Sequence, residues 1–288
     1  MIACVVLYLC STAVVISQKA PDSSPLLQNS SQASSLDLSS FTRIFGSEDR
    51  EVPLPSSGGF DNRKDVSALQ EIIDYLNTVK VSTWNGMKAE GIFEDSNDVS
   101  GNAALTLGRT DQYRLDITLP NGTRSTRIDG YIGSTLQEDG KKLSWSAASA
   151  VGGIVAFPRL FATTLGYTAT AIVDRGFVTI SQTRFHRITI LEPASADPSV
   201  AEHGEVTVTD FYFDAKTHLL KMSAATPQVT SSDAERYLVV ATYDDYRQVG
   251  QMSLPFKVSQ TMNGQRQWSL QLTTADVAPV NDPSHFRF

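Results

Sequence analysis

The sequence predicts a mainly β domain of the α+β class, an antiparallel barrel or sandwich entered through a single helix. Three observations carry that prediction. Short runs of alternating apolar and polar residues recur between residues 81 and 274. Asn-Gly and Asp-Gly pairs punctuate them, at Asn121-Gly122, Asp139-Gly140 and Asn263-Gly264, and such pairs tolerate the positive φ that tight hairpin turns require. A clear helical period occurs once, in DVSALQEIIDYLNTVK at 65–80, where Val66, Leu69, Ile72, Ile73, Leu76 and Val79 fall on one face and Asp65 or Ser67 caps the start.

In chain order, residues 2–16 form an apolar run shorter than the roughly 20 residues of a spanning helix. Residues 1–17 therefore read as a signal peptide or an N-terminal anchor. Residues 18–64 hold eleven serines, several prolines and few apolar residues, which is the composition of a disordered linker. The folded domain is expected over 65–278, with a tail at 279–288.

After the helix, VSTWNGMKAEGIFED (81–95) is extended, with glycines that suggest bulges or bends. ALTLG (104–108) and QYRLDITL (112–119) follow, the latter with Tyr113, Leu115, Ile117 and Leu119 on one face. PNGT turns the chain into TRSTRIDGYIG, and QEDGKKLSW at 137–145 makes a second hairpin. Residues 147–165, rich in small residues and interrupted by Pro158, read as short helices or a loop. Strands resume at 169–176 and 177–181, then at 185–192, 205–214, 218–224, 236–246, 253–262 and 266–274. Asp214-Ala-Lys-Thr217 marks a turn.

The net charge of −7, without a dense Lys/Arg cluster, argues against a nucleic-acid partner, because phosphate binding needs a basic footprint. Both cysteines, Cys4 and Cys10, precede the domain, so its body has no disulfide, thiolate nucleophile or zinc-ribbon spacing. The four histidines form no HxxxH or HxH pair, and no metal or cofactor is expected. No GxSxG, GxxxxGK or helix-opening GxGxxG motif is present. His186 interrupts an apolar strand and reads as a surface-face residue. Asp244 and Asp245 are adjacent on a strand and point to opposite faces, so they do not form an acid/base pair. The segment YDDYRQVGQMSLPF reads instead as a corner between two late strands, with Tyr243 and Tyr246 as anchors, Asp245 capping a bend and Arg247 pairing with a neighbouring strand. Asn29 and Asn121 begin glycosylation sequons that matter only in a eukaryotic secretory setting.

Two blocks carry a resemblance. EVTVTDFYFDAKTHLLKM is similar to the strand, Asp-x-x-Thr turn and strand of the LolA/LolB-like outer-membrane lipoprotein carrier superfamily (lipoprotein localisation factor-like). YDDYRQVGQMSLPFKV resembles that superfamily's closing hairpin, and the upstream order of helix, WNGMKAEGIF and DQYRLDITLPNGT also fits, over about residues 65–275. The Ser-rich tether and the insertion at 192–204 depart from the pattern. The resemblance implies an incomplete antiparallel β-barrel of about eleven strands, with a helical lid in its concave mouth formed by residues 147–165. It implies a periplasmic or envelope-associated, non-catalytic monomer that carries a lipid or a lipoprotein acyl chain without a cofactor, exchanging it with a membrane-bound donor or acceptor protein.

The cavity would then be lined by Leu115, Ile117, Ile188 and Ile190, by Leu238 and Val240, and by Leu270 and Leu272, with Phe157, Leu160 and Phe161 of the lid above it. A different outcome compatible with the same alternation is a tethered structural or interaction domain whose barrel is filled by these residues.

Overall fold

A computed structural model describes residues 64–80, 86–108, 112–129, 132–146, 160, 171–193, 206–226, 238–280 and 282–288. The expected signal segment and all of the expected linker except Lys64 lie outside these residues, and Lys64 bridges Ile172 of the sheet. Among the described residues, helix α1 (Val66–Thr78) precedes thirteen strands. The first half contributes β1 (Met87–Asp95), β2 (Ser100–Leu107), β3 (Gln112–Leu119), β4 (Gly122–Asp129), β5 (Ile132–Leu136) and β6 (Lys142–Ser146). The second contributes β7 (Ala171–Ile180), β8 (Thr183–Pro193), β9 (Val206–Asp214), β10 (Leu220–Thr226), β11 (Val239–Val249), β12 (Met252–Met262) and β13 (Gln265–Asp276). The order across the single sheet is β6-β5-β4-β3-β2-β1-β13-β12-β11-β10-β9-β8-β7. Two antiparallel meanders are thus joined at their middle by β1 against β13, and the outer strands β6 and β7 do not pair. The sheet is an incomplete barrel, with thirteen strands where about eleven are expected.

Local chemistry accounts for the turns. Asn263 and Gly264 have φ of 50° and 81°, the two left-handed positions of a type I′ hairpin, and Met262 pairs with Gln265 across them. The Asp214 carboxylate accepts from the Lys216 and Thr217 amides at 3.0 and 2.8 Å and from the Thr217 hydroxyl at 2.9 Å, so this side chain builds the turn. Gly91 marks a bulge in β1, where the register against β13 shifts between Glu90 and Gly91. A Cβ there would lie 2.4 Å from the Gln271 carbonyl oxygen, so only glycine fits.

The two runs read separately at 169–176 and 177–181 are one strand. β7 continues through a bulge between Asp174 and Phe177, and the Asp174 carboxylate accepts from the Gly176 amide at 2.7 Å. Arg175-Gly176 looks like a turn in sequence, but β8 pairs with both sides of it and holds the strand together.

The helix buries part of the expected face: Ile72, Leu76 and Val79 are buried and Leu69 packs against the core, but Val66 and Ile73 do not join them. Ala68, Glu71, Ile72, Tyr75 and Leu76 are buried, while Val66 is 81% and Ile73 40% exposed. At about 100° per residue, Val66 and Ile73 lie roughly opposite Ala68, Tyr75 and Val79. Asp65 occupies the N-cap position, but its side chain makes no capping bond and accepts from the Asp174 amide of β7 at 3.0 Å. The 3-10 turn Pro283–Phe286 packs back on β3 and β4, burying Phe286 to 2% exposure.

Candidate functional site

The main apolar cluster lies on one face of the open sheet and draws on both meanders. Leu115 and Ile117 of β3, Ile188 and Ile190 of β8, and Leu270 and Leu272 of β13 all join it. The one described residue of 147–165, Leu160, is helical, fully buried and part of the same cluster. Phe157 and Phe161 lie outside the described residues. Helix α1 sits against this face through Ala68, Ile72, Tyr75, Leu76 and Val79. The Tyr75 ring tilts onto Phe213 of β9 at 5.5 Å.

Leu238 and Val240 are not part of that face. Val240 pairs with Ala224 in a separate cluster with Ile180, Phe185, Tyr212 and Met222, and Leu238 packs against it. Their neighbours Ala241 and Tyr243 belong to the main cluster. Successive strand residues alternate between faces, so Val240 points away from the face that Ala241 faces. RYLVVAT is apolar on both faces, which is why composition alone assigned the wrong one.

The opening of the β11–β12 hairpin also differs from the corner expected. The strands pair continuously from Val239↔Met262 to Val249↔Met252, and the turn is at Gly250-Gln251. Asp245 lies mid-strand with φ of 53°. This left-handed residue resets the alternation, so Tyr243 and Tyr246, three apart, both reach the main cluster. Arg247 pairs with Asp245 of its own strand, at 3.0 and 2.6 Å, rather than with a neighbouring strand, and lies over the Phe256 ring. Asp244 faces Lys221 at 3.4 Å. The Tyr246 hydroxyl donates to the Leu220 carbonyl at 2.6 Å and is also hydrogen-bonded to Tyr75.

One polar group is set into the rim of the apolar face. His186, 7% exposed, is buried and not a surface residue. Its Nδ1 lies 2.8 Å from Glu71 Oε2 of α1, and its Nε2 2.9 Å from Asp174 Oδ1 of β7. His218, in the β9–β10 turn, places its Nδ1 2.9 Å from the other Glu71 oxygen. Phe177 stacks on the His186 ring at 4.7 Å. Burial pulls the His186 pKa down, and the hydrogen bonds and charges of Glu71 and Asp174 outweigh it, leaving the imidazole above its ordinary value. Burial pushes Asp174 up, but bonds from Ser67, the Gly176 amide and His186 hold it below the ordinary carboxylate range. Sequence reasoning missed this cluster. Its one sequence signal is Glu71, a carboxylate one residue before Ile72 on the buried side of the helix.

Among the described residues, no group of three or more His, Cys, Asp and Glu side chains is arranged to hold a metal ion. No described helix is long and apolar enough to cross a membrane.

Comparison of the whole chain with solved structures finds the same architecture. A LolA superfamily protein from Nitrosomonas europaea superposes with a TM-score of 0.50 over 76% of this chain and 97% of its own, at 9% identity. The fold is LolA-like. A domain named for outer-membrane lipoprotein sorting, from Vibrio parahaemolyticus, gives 0.48 over 76% and 95% at 7% identity. A DUF1329 family protein from Desulfovibrio piger gives 0.49 over 77% and 96% at 5% identity. No protein-family model and no curated protein matches the sequence. At such identities the likeness is one of fold, and within this LolA-like fold the chemistry is defined by this chain's own residues.

Proposed function

We propose that the protein is an exported, non-catalytic carrier or binding protein for lipids or lipoprotein acyl chains, held on the concave apolar face of the LolA-like sheet. The observation that carries the reading is that face itself. It is an apolar surface assembled from β3, β8 and β13 of an unclosed sheet, and a helix rather than another sheet covers part of it. A closed barrel would fill such a surface permanently, whereas an open sheet leaves a covering element that moves without breaking strand pairs. The energetics suit the ligand. Each buried methylene is worth ~0.8 kcal/mol, so an acyl chain of about 16 carbons gains on the order of 10 kcal/mol before ordering costs. On this reading the ligand contacts are Leu115, Ile117, Ile188, Ile190, Leu270 and Leu272, with Phe157, Leu160 and Phe161 on the covering side. The protein resides in the cell envelope, delivered by the N-terminal apolar segment, and exchanges its cargo with a membrane-bound partner.

A second reading, a tethered interaction domain with a filled interior, is favoured by one observation: Leu270 and Ile188 are already 0% exposed. Native mass spectrometry of the purified protein and titration with 11-(dansylamino)undecanoic acid separate the two. The carrier reading expects co-purifying lipid and saturable probe binding that Leu270→Ala weakens and Val240→Ala, on the opposite face, leaves intact. No lipid in repeated preparations and no saturable probe binding would refute carriage and leave the filled domain.

A further inference from the structure

The rim cluster is not needed to hold an apolar chain, and its geometry is specific. Both ring nitrogens of His186 face carboxylate oxygens, at 2.8 and 2.9 Å. A neutral imidazole has one N–H, so it serves only one of the two carboxylates and turns a lone pair toward the other. The imidazolium serves both. The two carboxylates belong to different elements, Glu71 to the helix and Asp174 to the edge strand β7. We propose that Glu71, His186 and Asp174 form a protonation-dependent latch that holds helix α1 in the concave face of the sheet.

The surroundings of His186 support a switch rather than a static ion pair. From α1 it meets Glu71, and from β7 Asp174, whose own backbone amide is bonded to Asp65. From the β9–β10 turn, His218 reaches the same Glu71. From β8, the Arg184 guanidinium lies 4.1 Å from the centroid of the Phe177 ring that stacks on His186. Phe177 is 53% exposed, so a single ring on this side separates the imidazole from solvent. His186 has its pKa raised in the folded state, so its contribution is complete below the ordinary histidine value and disappears as pH rises through the folded value. Asp174 has its pKa lowered, so its contribution disappears only as pH falls through that depressed value. The latch is therefore closed between the depressed Asp174 value and the ordinary histidine value, and opens as pH rises through the raised His186 value. The consequence for ligand entry rests on the carrier reading; the latch itself does not.

Hydrogen–deuterium exchange of the helix, corrected for the intrinsic pH dependence of exchange, tests the latch without any ligand. Protection of amides in α1 is expected to fall about tenfold between pH 6 and pH 9, the change that loss of one hydrogen bond to a charged group implies. In Glu71→Gln that dependence disappears. Protection that is flat in the wild type, or equally pH-dependent in Glu71→Gln, overturns the proposal. If Glu71→Gln does not fold, Asp174→Asn takes its place: it removes one of the two carboxylates that the imidazolium bridges, so the pH dependence of helix protection shrinks, and a dependence equal to wild type counts against the latch. Dansyl-undecanoate binding is measured on the same samples. Faster uptake at pH 9 supports gating, and uptake equal at both pH values with a mobile helix overturns gating. A pH-dependent helix with no probe binding at any pH leaves the latch standing and refutes the carrier reading.

Discussion

Tyr75 is the side chain through which helix α1 is most firmly seated, and two substitutions separate its contributions. The residue is 1% exposed, its ring tilts onto Phe213, and its hydroxyl is bonded to Tyr246, which in turn donates to the Leu220 carbonyl. Tyr75→Phe removes one buried hydroxyl and keeps the ring. Tyr246 retains its bond to Leu220, so the cost is about 1 kcal/mol. Tyr75→Ala also removes the ring and its aromatic contact. Buried aromatic-to-alanine changes cost ~3–5 kcal/mol, larger where the site cannot collapse, and here the rigid sheet below prevents collapse. Urea unfolding followed by far-ultraviolet circular dichroism measures both. Tyr75→Phe is expected to shift the midpoint with the slope m unchanged. Tyr75→Ala is expected to lower m as well, because a helix already detached exposes its surface before unfolding begins. Equal, small costs for the two variants would mean that the ring is not seated on Phe213 and that the helix does not close the concave face.

Three further outcomes follow from single sites. Asp245 holds φ of 53°, so Asp245→Ala is expected to lower stability by about 1 kcal/mol through backbone strain while Asp245→Gly is tolerated; a ranking in the opposite order, by thermal unfolding, refutes the strain account. Gly91→Ala places a Cβ 2.4 Å from the Gln271 carbonyl oxygen and 2.9 Å from Leu272 Cα, both on β13, and is expected to cost about 3 kcal/mol in urea unfolding; a cost near zero would show that the β1 bulge relaxes freely. Asp214 is pushed up by burial but held below the ordinary carboxylate range by the Thr217 and Lys216 groups, so its stabilisation is present above about pH 4 and is lost as pH falls through the depressed value. Asp214→Asn is expected to reduce stability at neutral pH and to flatten the acid limb of a stability–pH curve; an acid limb identical to wild type contradicts that origin.

The strands with strict alternation were legible because one face is buried and the other wet. β3, with Tyr113, Leu115, Ile117 and Leu119 inside, is the clearest case. The hairpins at Asn263-Gly264 and Asp214–Thr217 were legible because turn chemistry is local. What escaped was non-local or broke the period. β11 carries a left-handed residue that moves Tyr246 to the inner face, and no neighbour in sequence signals that φ. β7 survives a Gly-containing bulge because β8 pairs on both sides of it, a tertiary effect. Glu71 is held by two histidines 115 and 147 positions away, a pairing that no local pattern encodes. Leu238 and Val240 sit in a run apolar on both faces, where period-two reasoning has nothing to select.

An unclosed sheet leaves an exposed edge as well as an apolar face, and here the same segment attends to both. Lys64 bridges Ile172 in parallel, the Asp65 amide donates to the Ile172 carbonyl at 2.9 Å, and the Asp65 carboxylate accepts from the Asp174 amide. The chain thus occupies the hydrogen-bonding edge of β7 over its first half before turning into α1, which blocks that stretch to a second sheet. The Asp65 carboxylate is taken from the helix N-terminus to do so, and the helix loses a side-chain cap worth about 1 kcal/mol. A helix without that cap depends more on contacts along its length: the apolar row from Ala68 to Val79, the Tyr75 seat and the Glu71 bonds. The entry of the helix is fixed to the strand edge by the Lys64 bridge and the bond from the Asp65 amide to the Ile172 carbonyl, which do not titrate, whereas Glu71 is held by His186, which does. Loss of the Glu71 bonds therefore leaves residue 65 in place and leaves the rest of the helix held by its apolar row, by Tyr75 on Phe213 and by the Ser253 amide bonded to the Val79 carbonyl at 3.2 Å, so the rim bonds are the part of its seat that pH can weaken while the sheet edge stays occupied.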